Sequence, residues 1–406
     1  PGGKAVLFSI VYAGAIARGK QPAVAVADIA TGKYRVLLSG VRAKYSPSGH
    51  LLYVTSEGTL MMVPFDLKSQ TITGDPTAVA ENLRVGAFSR PTDFFVTQEG
   101  TLLYLAGAAG SDRELVWVGR EGKVAPVDPA WKGNFASPAL SPDGKRLAIS
   151  NEGENKTDIW IKQLDRGPTL KLTFEGTTNI YPQWTPDGKN ITYDSDASGV
   201  EDLWTKRADG SAQAVLQLRE RREPSVGRWS RDGKWLLVRT SVGADGNGDI
   251  LAMRPGVDSV PIAIVATQFT ERDPSLSPDG RWMAYSSNET GQDEVYVVPF
   301  PNAAAAKWPI STGGGREPLW SHGGGEIFYR SGAGMVSVAV QTSPSFSAGA
   351  NTVLFPVLGL GGGGGNHRQY DVTADDKRFI FTRSLGGVTA TNLVFVENWF
   401  EEMKKK

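Results

Sequence analysis

The stretch Trp184-Thr185-Pro186-Asp187-Gly188-Lys189, followed by Ile191-Thr192-Tyr193, reads as a tight hairpin leading into a strand. Proline presets φ at the first central turn position, aspartate bonds its own backbone, and glycine takes the left-handed conformation that closes the turn. The same pattern recurs at Leu140-Ser141-Pro142-Asp143-Gly144-Lys145, Trp229-Ser230-Arg231-Asp232-Gly233-Lys234 and Leu276-Ser277-Pro278-Asp279-Gly280-Arg281. Weaker copies start at Tyr45, Val96, Trp320 and Val372, and the chain opens inside another at Pro1-Gly2-Gly3-Lys4. The turn markers fall at 3, 49, 100, 144, 188, 233, 280, 324 and 376. A chain punctuated this regularly can bury apolar surface only by stacking similar small sheets.

A repeat of about 40–50 residues built from short strands specifies one four-stranded blade of a β-propeller. The first strand runs into the turn and the second leaves it. The third follows an acidic residue, as in Asp158-Ile159-Trp160-Ile161, Asp202-Leu203-Trp204 and Glu294-Val295-Tyr296-Val297. The fourth is short, as in Leu170-Lys171-Leu172-Thr173. The fold class is therefore all-β. The aromatics Trp160, Trp204, Tyr296, Trp184, Trp229 and Trp320 are expected to fill the gaps between blades.

The strand tally favours a six-bladed ring over 111–406, preceded at 1–110 by the last blades of an upstream, incomplete propeller. In that scheme Asn392–Val396 is the third strand of the last blade, and 123–127 closes the ring against the C-terminal repeat. A single eight-bladed ring using 4–40 is the alternative. The start of the chain mid-turn leads to the expectation of a longer parent protein.

Composition narrows function by exclusion. Lys and Arg total 43 and Asp and Glu total 43, so no net charge steers the chain to nucleic acid or an anionic membrane. There is no Cys, which removes disulfide and thiolate chemistry. No apolar run reaches the roughly 20 residues of a membrane span. No G-x-S-x-G occurs, and the three histidines, His50, His322 and His367, lack zinc-site spacing.

Three stretches hold candidate sites. Asp245-Gly246-Asn247-Gly248-Asp249 alternates oxygen-bearing side chains, so Asp245, Asn247 and Asp249 are candidate calcium ligands; no other cofactor is indicated. The competing reading is a Gly-rich hairpin connection, because the EF-hand's twelfth-position Glu is replaced by Gly256. The glycine run at 361–365 lacks the Lys-Ser/Thr and helix of a phosphate loop and reads as a surface loop. Finally, Arg272-Asp273-Pro274, Arg316-Glu317-Pro318 and Tyr181-Pro182 share an offset from their turns, at the entry of the innermost strand. Tyr181, Arg272, Asp273, Arg316 and Glu317 are thus candidates for one mouth of the central channel, binding a protein, a peptide or a small polar ligand. A ring of interblade salt bridges is the other reading.

The turns, with strands such as Asp158-Ile159-Trp160-Ile161, resemble the propeller of TolB and its WD-repeat-like relatives. Leu115-Val116-Trp117-Val118, the run from Asn288 to Pro301, Pro344-Ser345-Phe346-Ser347-Ala348-Gly349 and the ending Asn398-Trp399-Phe400-Glu401-Glu402 resemble more closely the C-terminal region of bacterial eukaryotic-like serine/threonine kinases. That resemblance implies a non-catalytic, extracytoplasmic sensor or docking region of a membrane-anchored kinase, since no H-R-D, D-F-G or kinase glycine loop is present. The alternatives are a TolB-like envelope scaffold and a propeller accompanying a peptidase domain; a cytoplasmic home stays open.

Overall fold

In the computed structural model, residues 3–10, 22–56, 58–81, 83, 94–97, 100–106, 113–153, 156–165, 167–219, 224–240, 248–361, 367–385 and 392–399 are described. The chain forms two units: Pro1–Ser111 together with Gly386–Lys406, and Asp112–Leu385.

The second unit contains six four-stranded antiparallel sheets among the described residues. Five follow the chain without crossover. Blade 1 comprises Asn134–Leu140, Arg146–Glu152, Thr157–Gln163 and Thr169–Lys171. Blade 2 comprises Asn179–Trp184, Asn190–Ser195, Asp202–Arg207 and Val215–Leu218. Blades 3, 4 and 5 begin with Pro224–Trp229, Glu271–Leu276 and Arg316–Trp320. Blade 6 takes Tyr370–Val372 and Arg378–Ser384 from the end of the unit, and Arg113–Gly119 and Val124–Pro126 from its beginning.

Blade 6 corrects two expectations. Its third strand is Arg113–Gly119, which pairs with Arg378–Ser384 from Arg113↔Ser384 to Gly119↔Arg378. The strand at 124–126 shares this sheet but pairs with Arg113–Gly119, not directly with the C-terminal repeat. Asn392–Val396 leaves the ring and pairs with Leu102–Ala106 in the first unit. Burial explains the choice: Leu115, Val116 and Val118 are wholly buried, against Ile380 and Phe135 on one side and Phe379 and Phe381 on the other. Leu393 and Phe395 are exposed where they stand and supply no such face.

Apolar seams join successive blades. Trp184 and Tyr193 of blade 2 pack with Ile159 and Ile161 of blade 1, with Trp204 beside them. Trp229 sits in the seam between blades 2 and 3, Tyr296 between 3 and 4, Trp320 between 4 and 5, and Trp160 between 6 and 1. Tyr370, Phe328, Phe355 and Phe379 fill the seam between 5 and 6. The ring is thus closed by large side chains at equivalent places.

The recurring turn has one hydrogen-bond plan. Thr185 Oγ1 donates to Asp187 Oδ1 (2.6 Å), which also accepts from Lys189 N (3.0 Å), while Asn190 N donates to Thr185 Oγ1 (3.0 Å). Ser230 with Asp232 and Thr373 with Asp375 repeat it. The Thr185 hydroxyl, then the Lys189 amide, hold the Asp187 carboxyl below its usual range. Gly188 closes the turn at φ +66°.

Among the described residues the first unit holds three sheets of its own. Ala5–Ile10, Ala23–Asp28 and Tyr34–Ser39 form one; Arg42–Ser46, His50–Val54 and Leu60–Asp66 lead the second; Phe94–Val96, Leu102–Ala106 and Asn392–Val396 form the third. Among the described residues, the strands Ala5–Ile10, Ala23–Asp28 and Tyr34–Ser39 pair only with one another, and the last repeat pairs with Arg113–Gly119 instead of with them.

Candidate functional site in the propeller channel

The innermost strand of four blades breaks at the same place. Its ladder skips two residues between Ala136 and Ala139, Ile180 and Gln183, Arg272 and Ser275, and Arg316 and Leu319. Each gap holds an X-Pro pair: Ser137-Pro138, Tyr181-Pro182, Asp273-Pro274 and Glu317-Pro318. Proline has no N–H to give the ladder, which suits it to a bulge. The residue before it is left-handed, with φ of 54°, 58°, 51° and 57° respectively. Such conformations cost of order 1–3 kcal/mol each for non-glycine residues and gather at functional positions.

These four bulges and Gln369, at the equivalent position of blade 6, form a linked set. Gln369 N donates to Glu317 Oε2 (2.8 Å), and the Gln369 side chain reaches Ser137 (3.5 Å). Arg330 Nη1 donates to Glu317 Oε1 (3.1 Å). The Tyr181 ring lies on the His367 imidazole. Asp273 is buried between the charge of Glu317 and those of Arg228, Arg239 and Arg368. Burial, then Glu317, pushes the Asp273 carboxyl up to about 7, against the pull of the three guanidinium groups. Burial, then Arg239, Arg228 and Arg272, pulls His367 well below its usual range, so the imidazole is neutral.

The structure therefore brings together Tyr181, Asp273 and Glu317 among the five sequence-derived channel candidates. Arg272 stands at the edge of the cluster, its Nη1 turned 3.1 Å from Asp293 Oδ2 in its own blade. Arg316 is exposed and, among the described residues, makes no hydrogen bond or ion pair with the cluster. The reason is strand alternation: the residue before each bulge points opposite to the bulged one. Asp245 and Asn247 lie outside the described residues. Asp249 is buried, with its amide on Thr240 Oγ1 (2.9 Å). Among the described residues no three His, Cys, Asp or Glu side chains group as metal ligands.

Beside this cluster, toward the turns, opens a cavity of about 470 Å³ to which every blade contributes. Its walls are the turn-flanking Trp184, Trp229 and Trp320, with Leu140, Leu276 and the turn prolines Pro142, Pro186 and Pro278. One residue per blade, always the one before the apolar turn residue, lines it: Ala139, Gln183, Arg228, Ser275, Leu319 and Asp371. Sequence reasoning missed Arg228 and Asp371, although that fixed offset from each turn would have found them. It also missed Arg239, His367 and Arg368, for which no repeat position gives a signal.

A closed ring of six four-stranded blades around a lined cavity is a six-bladed β-propeller with the build of a binding module. The family profile for the TolB β-propeller domain (PD40) matches residues 122–324. The chain belongs to this family of TolB-like β-propellers. A TolB protein from Agrobacterium tumefaciens superposes with a TM-score of 0.51 at 21% identity, over 67% of this chain and 97% of that one. TolB from Acinetobacter baumannii gives 0.43 at 16% identity, over 78% and 82%. A prolyl endopeptidase structure gives 0.39 at 15% identity, over 87% of this chain and 49% of that one. No curated protein matches the chain. No helix among the described residues is long and apolar enough to cross a membrane.

Proposed function

We propose that this chain is a non-catalytic binding module whose six-sided cavity receives a protein segment or a small polar ligand. The observation that carries this reading is the cavity itself: about 470 Å³, walled by tryptophan, leucine and proline interspersed with polar side chains, with every blade contributing to its wall. Ligand pockets have this size and make-up. The kinase-like features of the sequence support a sensor or docking region outside the cytoplasm in a membrane-anchored serine/threonine kinase. Membership of the TolB-like family favours a second reading, an envelope scaffold that docks another protein at the same face.

The test is binding by the purified chain, followed through the tryptophans that line the cavity, with peptides and small metabolites as probes. Ala374→Trp, at an exposed position on the cavity wall, is expected to abolish binding without unfolding the ring. Binding unaffected by that block, or ATP or amide turnover lost on mutating a side chain of the ring, would overturn the reading. A kinase domain and membrane span encoded upstream select the sensor; a signal peptide directly before the repeats selects the scaffold.

A further inference from the structure

Four charged or ionisable side chains line the cavity: Arg228, Arg231, His322 and Asp371. Three are committed. Arg231 Nη1 donates to the His322 carbonyl (2.9 Å), and His322 Nδ1 lies 2.9 Å from Asp376 Oδ1. Asp371 accepts from Leu140 N (2.9 Å), Val372 N (3.0 Å) and Arg368 Nη2 (3.3 Å). Arg228 has neither a hydrogen bond nor an ion pair among the described residues.

Around Arg228 stand the cation Arg368 and the carboxyl groups of Asp371 and Asp273. Arg239, which like Arg228 acts on Asp273 and His367, is only 2% exposed, and its Nε and Nη2 are buried without acceptors. Arg368 Nη1 is likewise buried without an acceptor. Buried donors without partners carry the full cost of lost hydration, so an acceptor reaching them is favoured. Burial, then the like charge of Arg368, pulls Arg228 down to about 9, which leaves it cationic at neutral pH. Above it the collar is apolar: Trp184, Trp229, Trp320, Leu276 and Leu319. A guanidinium in such surroundings selects an anion with which it makes two parallel N–H···O bonds.

We propose that Arg228 is the recognition residue of the cavity and that the ligand is a carboxylate carried on an apolar body. This rests on the cavity being the binding site. Two sources share that chemistry, a free apolar carboxylic acid and the C-terminal residue of a peptide, and both present a planar carboxylate on a hydrophobic group.

The test is calorimetric titration of the whole chain with N-acetyl-phenylalanine, its amide, an apolar pentapeptide ending in phenylalanine, and the amide of that pentapeptide. At least one carboxylate is expected to bind about tenfold or more tighter than its amide. Arg228→Gln is expected to erase that ratio by weakening the acid far more than the amide. On the unmutated chain the ratio is expected to shrink as salt is raised from about 50 to about 500 mM, which tests the charge even if the variant does not fold. Preference for the acetylated amino acid assigns the free acid; binding of the pentapeptide alone assigns the peptide terminus. Equal binding of acid and amide, or a ratio that survives Arg228→Gln, overturns the role of Arg228 and leaves the cavity as a binding site. Binding that survives Ala374→Trp overturns both readings; no binding by any of the four overturns the carboxylate proposal.

Discussion

The Tyr181 ring lies against the His367 imidazole, with centroids 3.6 Å apart and planes tilted by 45°. Tyr181 belongs to blade 2, and His367 to the segment entering blade 6, so the contact reaches past blade 1 across the lumen. The left-handed φ of Tyr181, +58°, directs its side chain there. Tyr181→Ala removes the ring and is expected to cost about 2–4 kcal/mol, near the lower end for a large buried aromatic. Tyr181→Phe keeps the stacking face and is expected to cost less than half as much. Urea unfolding of both variants checks this, and equal losses would show that the phenol hydroxyl, not the ring, does the holding.

Asp273 gives the ring a pH signature. Its folded value is about 7, above the usual 3.8 of an aspartate. The folded state therefore holds a proton that the unfolded state releases, and stability from this group is full below about 4 and lost as pH rises toward 7. His367 works in the opposite sense: its depressed value makes stability fall as pH drops through the ordinary histidine range. Asp273→Asn removes the first slope and leaves the second. Measured as Tm between about pH 4.5 and 8, the variant is expected to gain on the parent by at least ~2 °C as pH rises. A constant difference across that range would contradict the assignment.

Trp184 joins blades 1 and 2. Its Nε1 donates to the Ala139 carbonyl (3.0 Å), and the Arg146 guanidinium stands 4.4 Å over its ring. Trp184→Ala is expected to cost about 3–5 kcal/mol. The loss should appear in the cooperative unfolding of the whole ring, because each blade buries its faces only against its neighbours. Splitting of the ring's own calorimetric transition would show instead that the blades unfold independently.

The turn can be tested one hydrogen bond at a time. Thr185→Val keeps the shape but removes the hydroxyl that donates to Asp187 and accepts from Asn190 N. Thr185 is buried, so the stranded Asn190 amide adds to the loss, expected at about 1–3 kcal/mol. Asp187→Asn, which keeps an acceptor oxygen, is expected to lose less. Denaturant midpoints decide between them.

The repeat was legible because its turn is a local device: proline, aspartate and glycine at fixed places act through bonds within five residues. The blades and the interblade aromatics follow from that register. Closure of blade 6 was less legible. Arg113–Gly119 and Asn392–Val396 are both short alternating strands, and the choice between them is made by partners more than 260 positions away, such as Arg383, whose Nη2 meets Glu114 Oε1 at 2.5 Å. Of the channel candidates, Tyr181, Asp273 and Glu317 lie together because bulge and proline share one offset. Arg272 and Arg316 each stand one residue before the bulge, on the opposite side of the strand from it. Arg239 and Arg368 had no signal, since their burial arises from the ring as a whole.

Ala106 and Asn392 are partners in one sheet of the first unit, and the whole propeller lies in the chain between them. Arg113 and Ser384, where the ring begins and ends, are partners as well. In mechanical terms the ring is a loop tied off twice. Tension along the chain reaches the outer knot at Leu102 and Val396, which lie opposite each other at one end of their pair. It pulls across the strands, the direction in which antiparallel ladder bonds point, so those bonds yield singly as in a zipper. Only after this stem has opened does the load reach Arg113 and Ser384. The stem is thus a fuse: a weak pull is spent on five residue pairs, from Leu102↔Val396 to Ala106↔Asn392, before any blade of the propeller is strained.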